Sequence, residues 1–168
     1  MDEQGMGAQP GAVANGADTA PAVGLISQYV KDLSFENPSA PAIYQVQTAP
    51  AIDVQFNIAA NQVAEEVHEV VLKIEVRAEA EGQTAFIVDL SYAGLFGLRN
   101  IPADQMHPAV MIECPRLLFP FARQIVAEAV RNGGFPPLYI DPIDFVGLYR
   151  QKAMEAQGAG EATGPLAS

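Results

Sequence analysis

The chain of 168 residues has no tryptophan, one cysteine and only nine lysines and arginines. Each shortage excludes something. A lone cysteine, Cys114, cannot close an intrachain disulfide, so a reducing compartment is expected and the fold must rest on packing. Nine basic residues against twenty acidic ones leave a formal charge of −11; such a surface repels phosphate, and nucleic acid is not expected as a partner. No apolar run approaches the ~20 residues that a membrane-spanning helix needs. The opening "MDEQGMGAQPGAVANGAD" has no basic segment leading into an apolar one, so no secretory leader is read there. A cytoplasmic protein without membrane insertion is expected. Phosphate-binding glycine loops are missing too, since "YAGLFG" fits no nucleotide fingerprint. His68 and Glu69 in "EEVHEV" fall on opposite faces of a strand, which leaves no metal site. Neither cofactor nor metal is expected.

Apolar residues, by contrast, are plentiful. They make up 49% of the chain, an apolar protomer beneath a strongly acidic exterior. That combination points to an oligomer whose copies cover one another's apolar faces, and to a basic protein as outside partner. Residues 1–23 and 158–168 are rich in Gly, Ala and Pro without periodicity and read as disordered tails around one domain at 24–157.

Within that domain strands come first. In "LISQYVKDLSFE", period-two alternation puts Leu25, Ser27, Tyr29, Lys31, Leu33 and Phe35 on one face, with Ile26, Gln28, Val30, Asp32, Ser34 and Glu36 on the other. "IDVQFNI" turns Ile52, Val54, Phe56 and Ile58 inward. "VVLKIEVRAEA" does the same with Val70, Leu72, Ile74, Val76 and Ala78, and after a turn at Gly82 "TAFIVDLSYAGLF" returns antiparallel to it. Phe86, Val88, Leu90 and Tyr92 then share a face opposite Ile87, Asp89 and Ser91. Four strands with one wet face need a cover on the other. Helices follow: "CPRLLFPFARQIVAEAVRNGG" carries a wide apolar sector closed by a glycine cap, and "DPIDFVGLYRQKAMEA" opens with Asp141 as N-cap and Pro142 in the first turn. The expected fold class is α+β, a four-stranded antiparallel sheet followed by two helices packed on it. Pro120 interrupts the first helix, so its regular part is expected to start near Pro120, after a distorted turn.

The blocks "KDLSFENPSAP", "EVVLKIEV", "TAFIVDLSYAGLF", "CPRLLFPFARQIV" and "GGFPPLYIDPIDFVGLY" resemble, in this order, the SecB family of protein-export chaperones over about Leu25 to Gln157. The resemblance implies a homotetramer, a dimer of dimers in which helices pack between outer sheets. It implies an ATP-independent holdase without catalysis, which keeps unfolded precursor proteins translocation-competent and delivers them to the SecA motor. The chain departs from the family at a tryptophan often found before the second strand, where Thr48 stands, and at "CPR", where Arg116 replaces an asparagine.

Candidate sites follow. The family's acidic and apolar positions implicated in SecA docking match Asp32, Glu36, Ile87 and Asp89; an acidic sheet face of this kind attracts a basic module with salt-sensitive affinity. A chaperone tolerant of sequence needs apolar grooves lined by adaptable side chains. Tyr44, Phe121, Phe135, Leu138 and Tyr139 are the groove candidates, with Tyr44 and the "GFPPLY" loop favoured because they lie outside regular elements. Leu117, Leu118, Phe121, Ile125 and Ala129 form the helix face on which copies are expected to meet. Two other readings remain: a SecB-like chaperone dedicated to one client such as an antitoxin, and a small-molecule-binding domain or enzyme using Cys114 at a helix N-terminus.

Overall fold

A computed structural model describes residues 19–161; most of both expected tails lies outside them. Four antiparallel strands, β1 (Ala22–Glu36), β2 (Ala51–Ala64), β3 (Val67–Ala80) and β4 (Gln83–Arg99), form one sheet in the order β1-β4-β3-β2. β2, β3 and β4 are joined by two tight turns. At the second, Glu81 and Gly82 both have positive φ, 50° and 75°, the geometry a two-residue hairpin loop demands because its twist matches that of the strands. The chain between β1 and β2 crosses from one edge of the sheet to the other, with a single helical turn at Ala42–Gln45. Helices α1 (Ala103–Pro108), α2 (Cys114–Asn132) and α3 (Phe145–Glu161) complete the order, and a wide π-type turn at Ala109–Glu113 joins α1 to α2.

The alternation expected of β3 and β4 is realised. Val70, Leu72, Ile74 and Val76 are buried on one face, with Val88, Leu90 and Phe96 of β4 beside them. Onto this face α2 lowers Cys114, Leu118, Ala122, Val126 and Val130, each at most 1% exposed. Their spacing of four residues makes one stripe along a helix. α2 packs tightly over Gly94 of β4, where an added Cβ would stand 2.9 Å from Leu118 Cδ2 and 2.8 Å from Phe96 Cε2.

Three expectations are corrected. Register shifts at Ile26 and Lys31 interrupt the pairing of β1 with β4, and each extra residue flips the alternation beyond it. Val23, Leu25, Gln28, Val30, Leu33 and Phe35 therefore pair with helix-side residues of β4, whereas Ser27, Tyr29, Asp32, Ser34 and Glu36 pair with outward ones. α2 is helical from Cys114 straight through Pro120; Pro120 is exposed, so the carbonyl deprived of its donor, four residues back at exposed Arg116, can turn to water. α3 starts at Phe145, and its first turn is capped by Asp144, whose Oδ1 accepts a hydrogen bond from the Gly147 N–H at 3.0 Å. α3 packs chiefly on the α1–α2 junction, through Phe145 against Phe119 and Tyr149 against His107.

On the outward face the Tyr29 hydroxyl and the Lys31 ammonium both donate to Glu69 of β3, reaching over the intervening strand. The hydrogen bond from Tyr29, then that from Lys31, hold the Glu69 carboxyl below its ordinary range against the opposing effect of burial. Tyr29 is pushed up to about 12, first by its bond to Glu69 and then by burial and the nearby charge. The contribution of Glu69 is thus present above the ordinary carboxylate range and is lost as pH falls through its lowered value. That of Tyr29 is complete below 10 and is lost towards about 12.

Two measurements check this account. Gly94→Ala should destabilise the protein by about 1–3 kcal/mol in urea unfolding, because Leu118 and Phe96 must yield to the methyl group; a stabilised variant would contradict the close packing. Tyr29→Phe should cost about 1 kcal/mol at neutral pH, with the deficit shrinking in acid below the carboxylate range and again above pH 10. No deficit at any pH would show that only the ring matters, and a deficit independent of pH would show that the hydroxyl acts other than through the Glu69 carboxylate.

Candidate functional site

The cap that ends α2 also starts the site. "NGG" closes the helix with the Phe135 N–H on the Val130 carbonyl at 3.3 Å and the Gly134 N–H on Arg131 at 3.0 Å, while Gly134 takes φ 87°, a conformation that favours glycine. The chain leaves as an extended loop over 135–144. This loop and the 37–50 crossing segment flank the apolar face where α2 does not cover it.

Two open hollows result. One, of about 230 Å³, lies between Tyr44, Val46 and Thr48 of the crossing segment and Gly134 and Phe135 of the loop. The other, of about 490 Å³, lies between Ile52, Val54 and Phe56 of the edge strand β2 and the loop from Leu138 to Asp144. Tyr44 is fixed in place: its hydroxyl donates to the Gly133 carbonyl at 2.8 Å and accepts from Asn37 Nδ2 at 2.6 Å. Its ring centroid lies 5.5 Å from that of Phe135, which lies 5.0 Å from Phe86. A file of aromatic rings thus leads from the core to the surface. Tyr139, 54% exposed, has the Arg123 guanidinium 5.3 Å from its ring centroid. The rims are acidic, with Asp141 and Asp144 at the larger hollow and Glu81 bonded to Thr48 at the smaller.

Of the groove candidates, Tyr44 and Phe135 come together in one hollow and Leu138 and Tyr139 in the other. Phe121 lies in neither: it is 46% exposed on α2 and stacks on Tyr92 at 6.5 Å. The β2 wall of Ile52, Val54 and Phe56 had been read only as inward-facing strand. The missed signal was that β2 is an edge, with nothing beyond it to complete its cover. On α2, Leu117 is 45% exposed beside Phe121, and Ile125 and Ala129 are partly covered. Leu118 belongs to the protomer's own core.

The outward face brings the four docking candidates together. Ser34 stands opposite Asp89, Glu36 opposite Ile87 and Asp32 opposite Ser91. The rows continue across the sheet: Asp89 to Glu75 to Gln55, Ile87 to Arg77 to Asp53, Ser91 to Lys73 to Asn57. Two carboxylates, Asp89 and Glu75, therefore face each other directly, an arrangement that destabilises a sheet. Among the described residues, Asp32, Glu36, Glu75 and Asp89 are in no ion pair.

Cys114 is fully buried, and burial foremost, with Glu113 adding to it, pushes its thiol up to about 12. The expected lowering by a helix end does not arise, because helical turns precede Cys114 and its N-terminus is not free. His107 pairs with Tyr149 at 3.2 Å. A nucleophile needs a thiolate and a positioned base; Cys114 has a raised thiol and no such base beside it. No group of three or more His, Cys, Asp or Glu able to hold a metal occurs among the described residues, and no helix there is long and apolar enough to cross a membrane.

Comparison with known proteins shows the family and the fold. The profile of the family described as "Preprotein translocase subunit SecB" matches residues 16–156. The "Protein-export protein SecB" of Sphingopyxis alaskensis is 60% identical over 144 residues, covering 86% of this chain and 84% of that protein. That of Rhodopseudomonas palustris (strain BisB5) is 56% identical, covering 91% and 94%. Among solved structures, a Mycobacterium tuberculosis SecB-like chaperone in complex with a peptide from an antitoxin shares the fold at a TM-score of 0.62 and 15% identity, over 72% of this chain and 90% of that one. With that profile matching residues 16–156 and with relatives 56–60% identical over most of their length, the chain belongs to the SecB family of protein-export chaperones.

Proposed function

We propose that this chain is an ATP-independent holdase that binds non-native precursor proteins in its two apolar hollows and passes them to SecA. The observation that carries the reading is the pair of open apolar hollows sharing one loop wall. An unfolded chain offers apolar side chains in no fixed order, and shallow adjoining sites engage several at once, so weak contacts add through effective concentration. The acidic rims suit segments in which basic residues flank apolar ones.

Assembly completes the reading. β1 is an edge strand with Leu25, Ile26, Val30 and Leu33 between 38% and 60% exposed, and α2 presents Leu117 and Phe121. Neither surface suits a monomer. Both fit a homotetramer built as a dimer of dimers, which leaves the outward sheet faces, with Asp32, Glu36, Ile87 and Asp89, to receive a basic module of SecA. The related fold seen with an antitoxin peptide keeps open a chaperone dedicated to one client; the acidic outward face favours the export role. A Cys114-based enzyme lacks an accessible thiol.

Client holding is tested by the double variant Tyr44→Ser, Tyr139→Ser. The mass of the assembly, four times 17.9 kDa, should not change, while client affinity should fall by about tenfold, as expected for two exposed aromatic anchors. Unchanged suppression of client aggregation would place the client elsewhere. Docking is tested by reversing Asp32, Glu36 and Asp89 to Lys: SecA affinity should fall at least about tenfold while client binding persists. Equal loss of both would mark these residues as structural.

A further inference from the structure

The outward face is not uniformly acidic: Lys31 is bonded to Glu69 and the Lys152 ammonium donates to Asn57 at its β2 edge at 3.0 Å, but the two cations of the central strand β3 need an account. Lys73 and Arg77 sit on the central strand β3, four residues apart and on the same side as Asp32, Glu75 and Asp89. Arg77 lies 3.8 Å from Glu79 on its own strand. Lys73 is in no ion pair among the described residues. It is exposed and helps to line a shallow polar depression of about 320 Å³ in this face, together with Asp32, Glu75, Asp89, Gln55 and Asn57. The residues directly across from it, Ser91 and Asn57, are neutral.

If attraction of a basic partner were all that this face had to achieve, a cation inside the depression would only weaken it. Nor, among the described residues, is Lys73 held by a side-chain bond that would give it a purely internal task. We propose that Lys73 is a specificity-determining residue of the docking face. The partner's basic groups sit beside Asp32 and in the gap between Asp89 and Glu75. Opposite Lys73 the partner offers an acceptor, a carboxylate or a carbonyl. A partner with that alternation gains a contact at Lys73, whereas a featureless polycation meets repulsion there. Discrimination by a placed repulsive charge is a general way to separate a true partner from look-alikes of the same overall charge. A face on a chain of charge −11 attracts any polycation, so discrimination has to come from placed charges. The inference rests on the docking reading above and adds to it the register and chemistry of the partner.

The test compares the full-length protein with Lys73→Gln at fixed ionic strength, using two probes, purified SecA and a short poly-lysine peptide. Lys73→Gln should tighten poly-lysine binding by about threefold, the size expected for one exposed charge. Binding of SecA should stay level or weaken, so that the preference for SecA drops. Lys73→Arg should restore the preference. Equal tightening of both probes would overturn the inference, since Lys73 would then act only as general positive charge. So would no change in either probe together with a lower Tm, which would make Lys73 an internal neutraliser of Glu75 and Asp89. Asp89→Lys run in parallel separates the two levels. If it leaves SecA binding intact, the docking reading fails and this inference with it. If it abolishes binding while Lys73→Gln moves both probes alike, only the role of Lys73 is lost.

Discussion

One mismatch of width governs this molecule. Four strands spaced about 4.8 Å apart present an apolar face wider than the ~10 Å of a single helix. α2 covers the middle, over β3 and β4, where its stripe from Cys114 to Val130 meets Leu72, Ile74 and Leu90. Both flanks are left short of cover. On the β2 side a loop and a crossing segment close the gap only partly and leave the hollows; on the β1 side Leu25, Val30 and Leu33 remain exposed. α3 does not remedy this, because it packs mostly on the α1–α2 junction. The hollows and the exposed apolar surfaces of β1 are thus two results of the same shortage of cover.

The central elements were legible because their periodicity is undisturbed. β3 alternates through its whole length, and its partner in the hairpin follows from a turn that only certain residues tolerate. The glycine cap after α2 could be read for the same reason: "NGG" has few other uses at the end of an apolar helix. Where the reading failed, a non-local cause intervened. Two extra residues in β1 invert its pattern between them, over Ser27 to Val30, and restore it from Asp32 on; nothing in "LISQYVKDLSFE" signals that Ile26 and Lys31 are absorbed by shifts against β4. Pro120 promised a helix break that solvent exposure renders harmless. Cys114 looked like a helix tip until the turns from Ala103 to Glu113 proved continuous with α2; its place four residues before Leu118 was already the mark of a core position.

The two faces of the sheet follow opposite rules. Inside, the central positions of β3 and β4 from Val70 to Val76 and from Val88 to Tyr92 are resolved by packing, and no polar or charged residue is fully buried among those described. Outside, like charges at Asp89 and Glu75 are tolerated side by side, although moving either by two strand positions, to the next place on the same face, would separate them. A surface that keeps such a conflict in its central strands carries a field that a complementary partner can relax.

The anchoring of Tyr44 has a further consequence. Its hydroxyl is already engaged by the end of α2 and by Asn37, so the polar end of this side chain is turned to the protein and only its ring is offered to the hollow. A ring face has no donor or acceptor pattern to match. On the reading proposed above, a client settling there would be sorted by whether its apolar groups are on show at all, that is, by its state of folding, and the order of its residues would go unread.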